Sequence, residues 1–410
     1  MSARSIGAEE LGQAVRRILP QAQELRHRLH RIPEVGLQER RTAEELRSTL
    51  VALAPDAELL PPYLETDVTG LVRGLAPVTA GTRSSAPPAS RCVLLRADMD
   101  ALPLEETRDR PWKSQHPGRA HACGHDGHMA MLAGAVAVLA GLAGRFAGSV
   151  RFVFQPGEEE VGGGLRLVQR GLLEAEPRPQ AVFALHGWPG IPEGRLAAVP
   201  GPAMAAADQF AILVRGRGGH GAKPHLAIDP ILTAAQIVTS LQGIVARNVD
   251  PLVPAVISVC TFRAGSATNV IPSEARLEGT VRYFDPDLKH LLRTRLEEVV
   301  RGVCEAAGAE HQFEYRDGYI PAVNDPGQVA FARAAVQAHL GPASWHEGLE
   351  RTMGAEDFAY YLSKIPGAML MLGLGEGWPA LHHPEFDFND RALEPGILAL
   401  AALALETLSA

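Results

Sequence analysis

The chain has 410 residues, 46% hydrophobic, 21% charged and 5% aromatic, a composition that excludes disordered, fibrous and membrane-embedded proteins. Its length calls for two domains, or one large domain carrying an insertion. With 39 Lys and Arg against 47 Asp and Glu the net charge is −8, and no long basic run offsets it, which excludes a broad phosphate-binding surface.

The opening segment carries Arg4, Glu9, Glu10, Arg16 and Arg17 before any apolar stretch. It lacks the charged-then-apolar pattern of an export signal, so a cytoplasmic protein is expected. Leu11, Val15, Ile18 and Leu19, followed beyond Pro20 by Ala22, Leu25 and Leu29, recur at helical spacing and make the first fifty residues a helical scaffold. Strand-like apolar runs follow at 70–73, 92–97, 150–154 and 181–186, with helical patterns at 126–143 and 163–173 between the last three. The segment 76–90, rich in Ala, Pro, Ser, Thr and Gly, reads as a surface loop. Met129 to Gly144 is uncharged but too short to span a membrane, so it reads as a buried helix. Strands alternating with helices predict an α/β fold, an open twisted mixed sheet with helices on both faces, whose active groups gather at the carboxyl ends of strands.

The pattern changes from residue 206. Strands are expected at 209–215, 255–259, 275–284 and 310–315, and helices at 229–245, with Pro230 in the first turn, and at 285–307, capped and amphipathic. This β-α-β-β-α-β unit is large enough to be an inserted α+β domain. The expected organisation is a discontinuous catalytic domain, 1–205 and 319–410, interrupted by the insertion 206–318 and closed by an Ala/Leu-rich helix at 394–408.

Chemistry concentrates at the predicted strand ends. Asp98-Met-Asp100 follows the strand at 92–97, His186 follows that at 181–185, and Phe152-Val-Phe-Gln-Pro-Gly-Glu-Glu-Glu160 ends a strand in three consecutive carboxylates. The densest block is His121-Ala-Cys-Gly-His-Asp-Gly-His128, just before the buried helix. A thiol and imidazoles together suit a borderline-soft divalent cation, although the block alone does not say which side chains bind. Adjacent glutamates can divide the labour between holding a metal and moving protons. His382-His383-Pro384 adds imidazoles from a late loop. Cys92, Cys260 and Cys304 sit in apolar patterns and are expected in the core, and four scattered cysteines do not make a disulfide framework. His121, His128 and His225 read as packing or capping groups.

Together these motifs resemble the dinuclear metallohydrolases of the aminoacylase and carboxypeptidase (zinc peptidase) family, most closely its branch of hippurate hydrolases and indole-acetyl-amino-acid hydrolases. The resemblance spans nearly the whole chain. Beyond the blocks above it includes Arg26-His-Arg-Leu-His-Arg-Ile-Pro-Glu34, Leu95-Arg-Ala-Asp-Met-Asp-Ala-Leu-Pro103, Gly218-Gly-His-Gly-Ala-Lys-Pro-His225, Thr268-Asn-Val-Ile-Pro272 and Gly354-Ala-Glu-Asp-Phe358. It implies two divalent metal ions per subunit (Mn, Zn, Co or Ni), with Cys123, His125, Glu159, His186 and His382 as ligands, the Cys123 thiolate bridging, and Glu158 as general base. His382 is preferred to His383 because the family's ligand stands two residues before the proline. Asp100 would orient a ligand histidine.

In the insertion, His220 resembles a residue that reaches a neighbouring subunit's active site to stabilise an oxyanion, which implies a homodimer or higher homo-oligomer. Asn269 resembles a substrate-binding position. Arg282 is a candidate partner for a substrate carboxylate, with a solvated strand-face arginine as the alternative. Asp98-x-Asp100 replaces the His-x-Asp of other branches and Cys123 replaces an acidic residue, which places the chain among amidohydrolases rather than exopeptidases. A Gly at 157, where Ala is common in this branch, and a long 76–90 loop are expected to be harmless.

The implied activity is hydrolysis of an N-acyl amino acid, whether hippurate-like, acetyl or indole-acetyl, to a carboxylic acid and a free amino acid. The alternatives are a metal peptidase or aminoacylase on short peptides, a Cys123 nucleophile enzyme, and a non-catalytic ligand-binding relative. A binder would need neither Glu158 nor Asp100.

Overall fold

The computed structural model describes residues 6–76 and 91–409, so the loop expected at 76–90 lies, from residue 77 on, outside the described residues. The chain separates into two compact units, one of residues 1–203, 323–350 and 357–410, the other of 204–322 and 351–356. Residues 351–356, expected with the first unit, cluster with the second.

The first unit begins with α1 (Ala8–Arg31) and α2 (Arg40–Leu53), which precede β1 (Glu58–Leu60), β2 (Val68–Arg73) and β3 (Cys92–Asp98). Next come α3 (His125–Gly141), β4 (Ser149–Gln155), α4 (Gly163–Gln169), β5 (Ala181–Pro189), β6 (Leu196–Ala197) and β7 (Gly201–Met204). The helix expected at 163–173 is cut short because the chain turns at Gly171, which has φ +87°. Conversely the strand expected to stop before His186 runs on to Pro189, so His186 lies within β5.

The second unit contributes β8 (Ala206–Arg215), β9 (Gly219–His220), α5 (Pro230–Asn248), β10 (Ala255–Ala264), β11 (Val270–Ile271), β12 (Glu274–Tyr283), α6 (Leu288–Ala307) and β13 (Glu310–Tyr319). Its four-stranded antiparallel sheet has the order β10-β12-β8-β13, and β9 pairs separately with β11. Asp229 caps α5 by accepting the N–H groups of Ile231 and Leu232, with Pro230 at its first position. The helix expected from Asp285 starts at Leu288; the Asp285 carboxylate accepts the Asp287 N–H at 2.9 Å in the turn that leads into it, and Gly308 in the left-handed region closes its other end. Cys260, expected in the core, is exposed, because it is the bulged residue between Val259 and Thr261 on the edge strand β10.

The first unit resumes with β14 (Ala322–Asn324), α7 (Pro326–Leu340), α8 (Ala359–Leu362), β15 (Gly367–Gly375) and α9 (Leu393–Ser409). Its seven-stranded mixed sheet has the order β1-β2-β4-β3-β5-β15-β6. The block β4-β3-β5-β15 is parallel throughout, so the carboxyl ends of these four strands share one edge. All residues of β3 and β4 are buried, and because side chains alternate along a strand, both sheet faces are covered. Helix α3 is buried from His125 to Ala140 and packs on α1 and α9. Segment Asp390–Ser409 is long and apolar enough to cross a membrane, but its most apolar window is 67% buried inside the structure, as befits a core helix.

Candidate metal centre and active site

The chain turns from β3 through α3 to β4 on one side and from β4 across to β5 on the other, so the strand order reverses at β3. Ligands of open α/β sheets settle in the crevice at such a reversal. Asp98 and Asp100 leave the end of β3, Glu158 and Glu159 follow β4, and His186 projects from β5. Cys123 and His125 flank Gly124, which at φ +88° turns the chain into the first residue of α3.

These side chains converge. One ligand atom from each of Cys123, Glu159 and His382 lies within 4.8 Å of the others, as do those of His125, Glu158 and Glu159, and those of Asp98, His125, His128 and His186. The Cys123 Sγ is 3.5 Å from His186 Nε2, and Glu159 Oε1 is 3.3 Å from His382 Nε2 and 3.8 Å from His125 Nε2. The ring orientations are set from behind. His125 donates Nδ1–H to the Asp100 carbonyl at 2.8 Å and His186 donates Nδ1–H to the Gly187 carbonyl at 2.9 Å, which leaves both Nε2 atoms facing the centre. His125 Nε2 is buried without a hydrogen-bond partner, an arrangement that a cation resolves.

The electrostatics agree. Burial, reinforced by Glu159, Glu158 and Asp98, pushes the Cys123 thiol well above its usual range. Burial would lower His125, but Asp98, Asp100 and Glu159 outweigh it and raise the imidazole to about 10. For Glu159, burial is outweighed by His382 and His125, which hold the carboxyl below its ordinary value. A cation is the group this concentration of acceptors requires, and it would convert the thiol to thiolate and His125 to a neutral ligand. The donor set of one thiol, three imidazoles and a carboxylate fits two borderline divalent ions.

His382 and His383 are separated by their geometry. His382 stands at φ +63° with its N–H on the Ala122 carbonyl at 2.8 Å, while His383 Nδ1 accepts the Glu385 N–H at 3.2 Å within its own loop. His128 is occupied at both nitrogens, donating to Asp98 at 2.6 Å and accepting from Gly187 N–H at 2.8 Å, so it supports the site. His121 is buried with neither ring nitrogen paired, and burial lowers it to about 3, which keeps it neutral. His225 is exposed.

Asp100 does more than orient a histidine. Its backbone carbonyl accepts the His125 Nδ1–H at 2.8 Å, and its carboxylate stands 3.4 Å from the same nitrogen. The carboxylate accepts the N–H groups of Glu158 and Glu159, each at 3.0 Å. It therefore shapes the glutamate turn as well as the histidine.

The sequence reading missed the polar layer behind the site. Arg96, wholly buried, donates to Gln155, Asp98 and Asp357 at 3.0, 2.7 and 3.0 Å. Asp357 also accepts from Gln155 and from the Gly164 N–H, and its own N–H points to Glu158 Oε1 at 3.4 Å. A charged residue inside an otherwise apolar strand was the available signal for Arg96. On the other side, Arg26 and His30, one turn apart on α1, each meet Asp126 Oδ2 at 2.8 Å. Burial would raise Asp126, but Arg26 and His30 hold it far below the usual carboxylate range, anchoring the residue after His125.

His220, Asn269 and Arg282 all lie in the second unit. His220 and Asn269 line one cleft of about 550 Å³, together with Gly265 and Ser266. Arg282 is at the other end of β12, paired with Ala207, whereas Glu274 at the near end pairs with Arg215. Its guanidinium donates to Thr280 and to the Val281 carbonyl.

Residues 94–406 match peptidase family M20/M25/M40. The chain is 35% identical over 388 residues to N-acetylcysteine deacetylase of Bacillus subtilis (strain 168), covering 94% of this chain and 97% of that one. It is 40% identical over 332 residues to the N-acyl-L-amino acid amidohydrolase of Geobacillus stearothermophilus, covering 80% and 85%. Among solved structures, the Bacillus subtilis YxeP protein, described as a dinuclear metal-binding peptidase of the M20 family, superposes with a TM-score of 0.78 at 32% identity, over 95% of this chain and 98% of that one.

Proposed function

The chain belongs to peptidase family M20/M25/M40, and from that premise we propose that it is a metal-dependent amidohydrolase that cleaves N-acyl amino acids to a carboxylic acid and a free amino acid. The observation that carries this reading is the convergence of Cys123, His125, Glu159, His186 and His382, with His125 Nε2 buried and without a hydrogen-bond partner. In this reading those five residues hold two divalent ions, Mn, Zn, Co or Ni. When bound, the ions supply Lewis acidity, which lowers the pKa of a water and polarises the acyl carbonyl.

The chain's own groups do the rest. Glu158, buried at the end of β4 with its backbone held by Asp100, takes the proton of the attacking water and delivers it to the departing amine nitrogen. Asp98 and His128, bonded to one another, back the two central histidines, Asp98 standing 3.8 Å from His125 Nε2 and the His128 ring 4.5 Å from that of His186. In the second unit, His220 and Asn269 are proposed to serve the active site of a neighbouring subunit, steadying the oxyanion and the substrate. A Cys123 nucleophile is disfavoured, since burial first, and then Glu159, Glu158 and Asp98, suppress the thiolate despite the nearby His186.

The test is hydrolysis of acetyl, benzoyl and indole-acetyl amino acids and of short peptides by protein stripped with a chelator and refilled with each metal. Recovery of turnover on the acyl amino acids is expected. Glu158→Gln should keep its metal and lose ~10²-fold or more in kcat, the usual scale of a general base. Wild-type turnover by that variant, or activity that survives full metal removal, would sink the reading.

A further inference from the structure

One buried carboxylate reaches the glutamate turn from a part of the chain that no ligand motif touches. Glu39 immediately precedes α2, a position from which an acidic side chain ordinarily caps the helix, and it is wholly buried. Yet it makes no capping bond. Glu34 caps α2 in its place, its Oε2 accepting the Thr42 N–H at 2.9 Å and the Thr42 hydroxyl at 3.0 Å.

Glu39 is thereby released to point elsewhere. Its Oε1 accepts the Gly157 N–H at 2.9 Å and the Leu37 N–H at 3.0 Å, and its Oε2 accepts the Thr66 hydroxyl at 3.0 Å. The next two N–H groups, of Glu158 and Glu159, belong to Asp100. Three consecutive backbone N–H groups of the turn are thus gripped by two carboxylates. The turn has no slack: Gly157 stands at φ +67°, and a Cβ there would come within 2.4 Å of Val161 Cγ2. Leu37, at φ +60°, packs on the same glycine. Burying a carboxylate is costly, and helix capping does not account for this one.

We propose that Glu39 is a positioning residue for the reaction, clamping Gly157 so that the adjacent Glu158 carboxylate is presented in its productive direction. The inference rests on the assignment of Glu158 as the base. Glutamine tests the clamp itself, because its carbonyl oxygen can accept both N–H groups while its amide donates to the Thr66 hydroxyl. Aspartate keeps the carboxyl group but is too short to reach Gly157.

The experiment compares metal-loaded full-length Glu39→Ala, Glu39→Asp, Glu39→Gln and Glu158→Gln on the best acyl amino acid of the panel. Alanine and aspartate should each lower kcat by roughly 10- to 100-fold, the scale of a small misplacement of a reacting group, with KM and metal content unchanged. Glutamine should restore kcat to within about threefold of wild type. Wild-type kcat in Glu39→Ala or Glu39→Asp, or a loss confined to KM or metal content, overturns the clamp, and so does a glutamine variant as slow as alanine. If alanine does not fold, aspartate and glutamine still decide. Should Glu158→Gln turn over normally, the base assignment falls. If it is inactive while the Glu39 variants are normal, the clamp alone falls.

Discussion

At the scale of single residues, Gly157 joins a left-handed backbone to a lack of room for any side chain. Its left-handed backbone and the 2.4 Å approach of a hypothetical Cβ to Val161 make Gly157→Ala unfavourable on both strain and space. The expected cost is about 1–3 kcal/mol, read from the shift in a urea midpoint, together with a lower kcat because Glu158 is the next residue. An alanine variant as stable and active as wild type would refute this. The sequence reading took glycine here as harmless, since one residue carries no record of its φ. Glu39 was illegible for a related reason, as its partner Gly157 is 118 residues away. Cys123, His125, Glu158 and Glu159 were legible as candidates because they crowd into short blocks whose residue types announce their chemistry. Burial, aided by Asp100, raises Glu39 from its ordinary 4.5 to about 7. The folded state therefore retains a proton that the unfolded chain has lost, so this group's contribution to stability is full below pH 4.5 and is lost as pH rises through 7. Glu39→Gln has no such proton. Melting temperatures of the metal-free proteins should favour Glu39→Gln over wild type increasingly from pH 5 to pH 8, and a gap that does not change with pH would contradict the shift.

At the scale of elements, the site depends on where α3 begins, and α3 is held by α9. Gly134 on α3 faces Ile397, and Gly396 on α9 faces Met131, where an added Cβ would fall 1.9 Å from the sulfur and 3.0 Å from Leu372. The helices approach through these glycines, so Gly396→Val should overpack the seam at a cost of about 1–3 kcal/mol, despite the gain of a side chain in a helix. Calorimetry checks this, and an unchanged melting temperature would count against the packing described. The amphipathic and apolar helices were readable from periodicity, and β3, β4 and β5 from their apolar runs. β15 was not: Gly367-Ala-Met-Leu-Met-Leu-Gly-Leu-Gly375 lacks β-branched residues and alternation, because a central parallel strand is buried on both faces. Helix α7 was also missed, although Asp325 before Pro326, accepting the Gln328 N–H, is a local start signal.

At the scale of the molecule, the division of labour between the two units is what remains to be tested, since His220 and the metal-ligand cluster lie in different ones. If His220 acts across a dimer, the two functions can be separated onto different subunits. A His220→Ala subunit keeps its own Glu158 but lacks the donor it lends its partner, and a Glu158→Gln subunit has the converse defect. Each homodimer should be inactive. In a mixed dimer, however, the intact Glu158 of the first subunit receives the intact His220 of the second, so one of two sites works. Unfolding and refolding an equal mixture would make half the dimers mixed, and about a quarter of wild-type activity should return. Were His220 to serve its own subunit's site, every site in every dimer would carry one lesion, and mixing would restore nothing.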